Sequence, residues 1–243
     1  GHGKTAKTPE DWGYFADGES PEILIGDMNK LRTLSQEPDK PYFMLGHSMG
    51  SYLLRRYLSV YGGGLSGAVI MGTGANPDAV AKLGMAVCKA IAAFKGWKYR
   101  SPFMEKLFFS GDFQKFDMDG THPENSWLTK DTEIVRFYYS EPRCTFKFTL
   151  KAYYDFLKTV YYVNRKENVE KIPKDLPILM VAGDCDPVGE FGKAVKRVYE
   201  MYKAAGINDV TLKLYENDRH EILNETDKER VFDDIFNWCE SRQ

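Results

Sequence analysis

The stretch Pro41-Tyr-Phe-Met-Leu-Gly46-His-Ser48-Met-Gly50-Ser-Tyr-Leu-Leu54 decides the fold. Tyr42 to Leu45 is a short apolar run with the length and bulk of a buried parallel strand, and the residues from Ser51 onward carry a helical pattern. Between them lies Gly-x-Ser-x-Gly. A strand that turns this sharply into a helix leaves no room for side chains beside the turn, so glycine is expected at both flanks, Gly46 and Gly50. The turn presents Ser48 at a strand tip and a helix N-terminus, where backbone N–H groups and the helix dipole favour a developing negative charge.

Working outward, Leu24, Ile25, Met28 and Leu31 fall at helical spacing between Ser20 and about Gln36, and Asp39-Lys40-Pro41 ends that segment. After Ser48, the residues Leu53, Leu54, Tyr57, Leu58 and Tyr61 continue a helix that Gly62-Gly63-Gly64 stops. Gly67-Ala-Val-Ile-Met71 is a second buried strand, Pro177-Ile-Leu-Met-Val-Ala182 a third and Val210-Thr-Leu-Lys-Leu-Tyr215 a fourth. Phe191, Val195, Val198 and Tyr202 form a helical stripe capped by Gly206. Thr226-x-x-Glu229 predicts a capping box, opening a last helix that buries Val231, Phe232, Ile235, Phe236 and Cys239. Helix alternating with short apolar strand means an α/β protein with a parallel sheet.

From about Gly74 to Asn168 the alternation breaks. A segment this long between two sheet strands predicts an inserted, mainly helical cap, with core residues 1–73 before it and 169–243 after it. The cap is rich in aromatic residues, among them Phe108, Phe109, Phe113, Phe116, Trp127, Phe148, Tyr153 and Phe156. Most are expected to be the cap's own core, with the remainder lining an apolar pocket.

The chain of 243 residues, 43% hydrophobic, is enough for one domain with a full core. Its 33 Lys and Arg against 35 Asp and Glu leave a net charge of -2, which gives no footprint for nucleic acid. Cys88, Cys144, Cys185 and Cys239 lack CxxC spacing and make no metal-ligand pattern with the four histidines. They read as free thiols in a reducing, cytoplasmic compartment. No apolar run approaches the roughly 18 residues of a membrane span.

A serine, an acid and a histidine each sit just past the carboxyl end of a different strand: Ser48, Asp186 and His220. In a parallel sheet those ends share the edge at which ligands bind, and serine, then acid, then histidine is the order used by α/β-hydrolases. His220 would take the proton of Ser48, Asp186 would fix the imidazole, and the Met49 N–H would supply one oxyanion donor. Asp184 competes with Asp186, which is preferred because Pro187 rigidifies the turn behind it. His47 is expected to shape the pocket floor, and His2 and His122 to be solvated.

Four blocks carry a resemblance to a known family: Gly1-His2-Gly3-Lys4-Thr5, Gly46-His47-Ser48-Met49-Gly50, Gly183-Asp184-Cys185-Asp186-Pro187-Val188-Gly189 and Arg219-His220-Glu221-Ile222-Leu223-Asn224-Glu225. Across essentially the whole chain the sequence resembles the monoacylglycerol lipase and lysophospholipase-like serine hydrolases of the α/β-hydrolase fold, bacterial members above all. The resemblance implies carboxylic ester hydrolysis under a helical lid, a small-molecule or lipid ester as substrate, and no metal or organic cofactor. It also implies further N-terminal strands, including a His-Gly loop that supplies the second oxyanion donor, so the chain is expected to be truncated or partial. The strand at Tyr42 to Leu45 then becomes a sheet edge, which predicts a homo-oligomer paired through it. Losing one oxyanion donor lowers turnover about 100- to 1000-fold unless another group substitutes.

An aminopeptidase or acyl transferase uses the same fold and triad, and a non-catalytic binding protein derived from a truncated hydrolase is the alternative outside enzymes. Serine where aspartate would be the nucleophile excludes a dehalogenase.

Overall fold

A computed structural model describes residues 3–242; His2, expected to be solvated, lies outside them. The first α-helix is α1, Ser20–Ser35, and the chain passes into β1, Phe43–His47, and α2, Met49–Tyr61. β2, Gly67–Met71, follows. Between β2 and the next strand come α3 at Asp78–Lys95, α4 at Pro102–Phe108, α5 at Thr132–Ser140, α6 at Pro142–Thr145, α7 at Leu150–Val163 and α8 at Lys166–Val169. β3 at Ile178–Gly183, α9 at Lys193–Ala204, β4 at Val210–Tyr215 and α10 at Lys228–Glu240 complete the chain.

The four strands lie in the order β1-β2-β3-β4, all parallel, with Phe43 opposite Gly67, Ala68 opposite Ile178 and Ile178 opposite Val210. Strand residues alternate between faces, and two cores result. Ala68, Ile70, Ile178, Met180 and Ala182 pack with Ile25 of α1, Leu54 and Leu58 of α2, and Val195 and Val198 of α9. Val69, Met71, Leu179 and Val181 point the other way, onto Val231 and Trp238 of α10. Helices therefore cover both faces. A third core belongs to the segment between β2 and β3, where Ala81, Cys88, Met104, Leu150, Leu157 and Val160 join α3, α4 and α7 and take in Tyr52 of α2.

Several local expectations need correction. The capping box does not form: Asp227 is the N-cap of α10 without a side-chain cap bond, and its carboxylate faces Arg230 and Lys130 instead. The inner stripe of α10 runs through Val231 and Trp238, leaving Phe232 and Phe236 exposed. Phe191 stands outside α9, in a left-handed conformation at φ 56° beside Phe116. The expectation for the glycines holds at one flank only. A Cβ on Gly46 would sit 2.4 Å from the Gly50 carbonyl oxygen, whereas one on Gly50 would meet nothing within 4 Å.

Parallel strands end together, so the segments after β1, β2, β3 and β4 converge on one edge of the sheet. That edge carries Ser48, Gly72, Asp186 and His220, and the helices between β2 and β3 roof it over.

Candidate active site

Ser48 connects β1 to α2 with φ 53° and ψ -122°, a conformation that disfavours a side chain and is held by its surroundings. Its N–H donates to the Met71 carbonyl at 3.0 Å, and its carbonyl accepts from both the N–H and the hydroxyl of Ser51, at 2.8 and 2.6 Å. Met49 is the first residue of α2, so its N–H has no acceptor within the helix.

Asp186 follows β3 and is fully buried; its Oδ2 accepts from His220 Nδ1 at 2.9 Å and its Oδ1 from the Val188 N–H at 2.8 Å. A carboxylate can only accept, so the Nδ1 of His220 carries the proton and, in the neutral ring, Nε2 is the basic nitrogen. That Nε2 is buried without a partner. Among the described residues no hydrogen bond joins Ser48 to His220; catalytic contacts of this kind often form only when substrate is bound. Burial works to lower the basicity of His220, but the charge and hydrogen bond of Asp186, aided by Glu221, override it and raise the pKa above the ordinary 6.5. Asp184 takes no part in this pair: its carboxylate accepts from the Asn217 N–H at 2.8 Å.

His47 holds the same loop from below. Its Nε2 donates to the His220 carbonyl at 3.0 Å, and the two rings lie 4.7 Å apart. Burial, then the neighbouring His220, pushes His47 down to about 4, so it is neutral at physiological pH. Gly72, at φ 59°, lets the backbone pass both rings; a Cβ there would come within 3.1 Å of His220 and 3.2 Å of His47. His122 is exposed and away from the site, with Glu124 beside it at 3.6 Å.

What holds His220 from the other side has no local sequence signature. The Trp127 ring lies 5.1 Å from the imidazole and the Trp127 carbonyl accepts the His220 N–H at 3.3 Å. Glu221 N–H donates to the Leu128 carbonyl at 2.8 Å. Glu225, wholly buried, accepts from the N–H groups of Arg219 and Lys130 at 2.7 and 2.9 Å and from the Thr129 hydroxyl at 2.9 Å. Arg219 donates to the carbonyls of Glu124, Ser126 and Thr129, and Lys130 reaches buried Asp218 at 2.7 Å. Residues 124–130 are therefore laced to the histidine loop by backbone and buried charge alike. Such contacts span about 90 positions and leave no local periodic trace.

Above Ser48 and Met49 opens a cavity of about 570 Å³. Phe108, Phe109, Phe113, Trp127, Phe148, Tyr153 and Phe156 all line it, and Phe108, Phe148, Tyr153 and Phe156 also pack in the core of the inserted segment. Core and pocket thus share these four aromatic residues. Phe116 is outside the lining and stands by Phe191. Among the described residues, no group of three or more His, Cys, Asp or Glu is placed to hold a metal ion, and no helix is long and apolar enough to cross a membrane.

A parallel sheet with helices on both faces, a serine on a strained strand-to-helix turn, and an Asp–His pair past the third and fourth strands define an α/β-hydrolase. A family model described as serine aminopeptidase, S33, matches residues 1–227, and the chain belongs to that family. It is 26% identical over 211 residues to a monoacylglycerol lipase of Mycolicibacterium smegmatis, an alignment covering 85% of this chain and 65% of that protein. The chain thus spans about 65% of the length of this curated relative. A thermostable carboxyl esterase from Bacillus coagulans, solved with glycerol, superposes with a TM-score of 0.86 at 30% identity over 99% of this chain and 78% of its own. The monoglyceride lipase of Saccharomyces cerevisiae shares the fold, with a TM-score of 0.72 at 21% identity over 96% of this chain and 72% of its own.

Proposed function

We propose that this chain hydrolyses carboxylic esters of apolar acyl groups, small acyl esters, monoacylglycerols or lysophospholipids, through an acyl-Ser48 intermediate. The observation that carries this function is the conjunction of a serine on a strained turn with a buried histidine whose Nε2 is free and whose Nδ1 is bonded to a carboxylate, below an aromatic cavity. The kinship with a carboxyl esterase and a monoacylglycerol lipase supports it.

In this mechanism Ser48 Oγ attacks the ester carbonyl carbon while its proton passes to His220 Nε2. Asp186 holds the imidazole and stabilises the imidazolium, and the Met49 N–H receives the oxyanion. The carbon–oxygen bond to the alcohol then breaks, and His220 returns the proton to the leaving alkoxide. Water repeats the sequence on the acyl-serine: its proton goes to His220, the acid departs, and the proton comes back to Ser48. Residues 74–168 form the cap that shelters the acyl chain.

An aminopeptidase must seat a free ammonium group, which calls for an available carboxylate. The acids lining the cavity are already engaged: Glu105 by Lys147 at 2.8 Å, Asp112 by Lys115 at 2.7 Å and Glu190 by Arg197 at 2.6 Å. This favours an ester over a peptide. The four unpaired thiols fit a reducing, cytoplasmic setting. The free edge of β1, with Leu45 47% exposed, fits pairing with a second copy; a strictly monomeric species in sedimentation at micromolar concentration would remove that assignment.

The decisive assay is hydrolysis of p-nitrophenyl esters with two to twelve acyl carbons, with Ser48→Ala as control. Turnover lost in the control is expected. No turnover, and no labelling by a fluorophosphonate, from folded protein would overturn the proposal in favour of a binding protein.

A further inference from the structure

Arg55 lies two turns along α2 from Ser48 and is only 1% exposed. Among the described residues no carboxylate pairs with it. A guanidinium held in a protein interior without a counter-ion is unfavourable unless its donors are used; in Arg55 the two Nη groups are used and Nε is buried without a partner. Here Nη1 donates to the Gly74 carbonyl at 2.8 Å and the Thr73 hydroxyl at 3.2 Å, while Nη2 donates to the Asn164 side-chain oxygen at 3.0 Å and the Val163 carbonyl at 3.3 Å.

The four acceptors form two pairs. Thr73 and Gly74 are the chain leaving β2 for the cap, and Val163 and Asn164 are the end of α7, where the chain turns back toward β3. One planar fork therefore grips both stems at once, which the rigid array of Arg donors permits and a lysine ammonium does not. The stems are also tied to each other, by Asn164 Nδ2 to the Asn76 carbonyl at 2.9 Å and by Arg165 to Asp78 at 3.3 Å. The entry stem borders the chemistry as well. Gly72 passes the rings of His47 and His220, and Gly74 abuts the hydroxyl of Tyr52, which lines the cavity one turn from Ser48.

We propose that Arg55 is a positioning residue that pins both stems of the cap to the helix bearing the nucleophile, keeping the apolar cavity in register with Ser48. Movement that admits an acyl chain then takes place away from the stems, in the distal part of the cap. The activity half of the test rests on the ester-hydrolase assignment; the exchange half does not.

The test compares the wild-type chain with Arg55→Lys, Arg55→Met and Asn164→Ala by hydrogen–deuterium exchange, and by KM and kcat for p-nitrophenyl acetate and dodecanoate. In Arg55→Lys, exchange over residues 73–78 and 160–166 is expected to accelerate about tenfold while β3 stays protected. The ratio of the dodecanoate KM to the acetate KM should rise about fivefold, because a cap out of register misplaces long chains more than short ones. Unchanged exchange at the stems overturns the proposal. So does acceleration spread evenly over the chain, or an equal loss on both esters, since either marks a merely structural arginine. If Arg55→Met fails to fold, Asn164→Ala, which removes an Arg55 acceptor together with the direct tie to the Asn76 carbonyl, must still loosen the stems locally; no local change refutes the pin. If the wild-type chain hydrolyses neither ester, the exchange result alone decides on Arg55, and only the functional assignment fails.

Discussion

The cavity has a floor and a roof, and different forces hold them. The floor is built from strand ends: Asp186, His220 and the Ser48 turn are fixed by hydrogen bonds of 2.6 to 3.3 Å, with Asp186 fully buried and His220 2% exposed. Away from residues 124–130, which are hydrogen-bonded to the histidine loop, the roof is packed by aromatic contacts, with Phe109, Phe113 and Trp127 at ring separations of 5.3 to 6.1 Å, and it leaves Leu83 and Leu107 exposed at its margin. Hydrogen bonds are directional and penalise small displacements, while apolar contact is tolerant of shape. On the proposed function, the chemistry belongs to the floor and selection of the acyl group to the roof.

The comparison breaks first at Ser48. Ser48→Ala is expected to lower kcat/KM for a p-nitrophenyl ester by more than about 10⁴-fold with the fold intact by circular dichroism; a milder loss would mean that the floor does not hold the nucleophile. Asp186→Asn should cost about 10⁴-fold, because an amide can face Nδ1 with the wrong tautomer. The same pair sets a pH signature. His220 must be neutral to act as base, and its pKa is raised above 6.5 in the fold, so activity should rise with pH through a midpoint above that value. The residual activity of Asp186→Asn should titrate lower, and an unmoved midpoint would separate Asp186 from the histidine.

A stability measurement sharpens the contrast next. His47 is neutral in the fold with its pKa pushed to about 4 from 6.5, so as pH falls the unfolded chain takes up a proton that the folded chain refuses. Stability is complete above 6.5 and is lost toward 4, by an amount on the order of 3 kcal/mol. Urea unfolding between pH 4.5 and 7 should show that slope, and His47→Gln should flatten it. On the roof, Phe109→Ala should leave the optimum pH unchanged and move the preferred ester to longer chains, altering relative kcat/KM about tenfold. Leu83→Ser, at a side chain 65% exposed on the margin, should shift unfolding free energy by less than about 0.5 kcal/mol.

Much of the floor is legible in the sequence because its signals are local. A strand, Gly46-x-Ser48-x-Gly50 and a helix lie within one short run, and His220 falls just past an apolar strand. Asp186 and Asp184 differ by two positions in one turn, and only the fold shows which carboxylate reaches His220. Gly50 looked obligatory from the motif, yet the crowding falls on Gly46 alone. On α10 the expected stripe holds at Val231, Ile235 and Cys239, while Phe232 and Phe236, each one position (about 100°) further round the helix, are exposed. Trp127, Glu225 and Arg55 have no local signature, since each acts across segments far apart in the chain.

The lacing of residues 124–130 to the histidine loop bears on how such chains can be recombined. Exchanging the segment between β2 and β3 for that of a relative would carry off the carbonyls that receive the His220 and Glu221 N–H groups, and would leave the Glu225 carboxylate with one of its three donors. The inserted segment is thus not a detachable module. A chimera with this segment transplanted will keep His220 in place only if it preserves Ser126 to Lys130, or rebuilds their contacts from the donor's side.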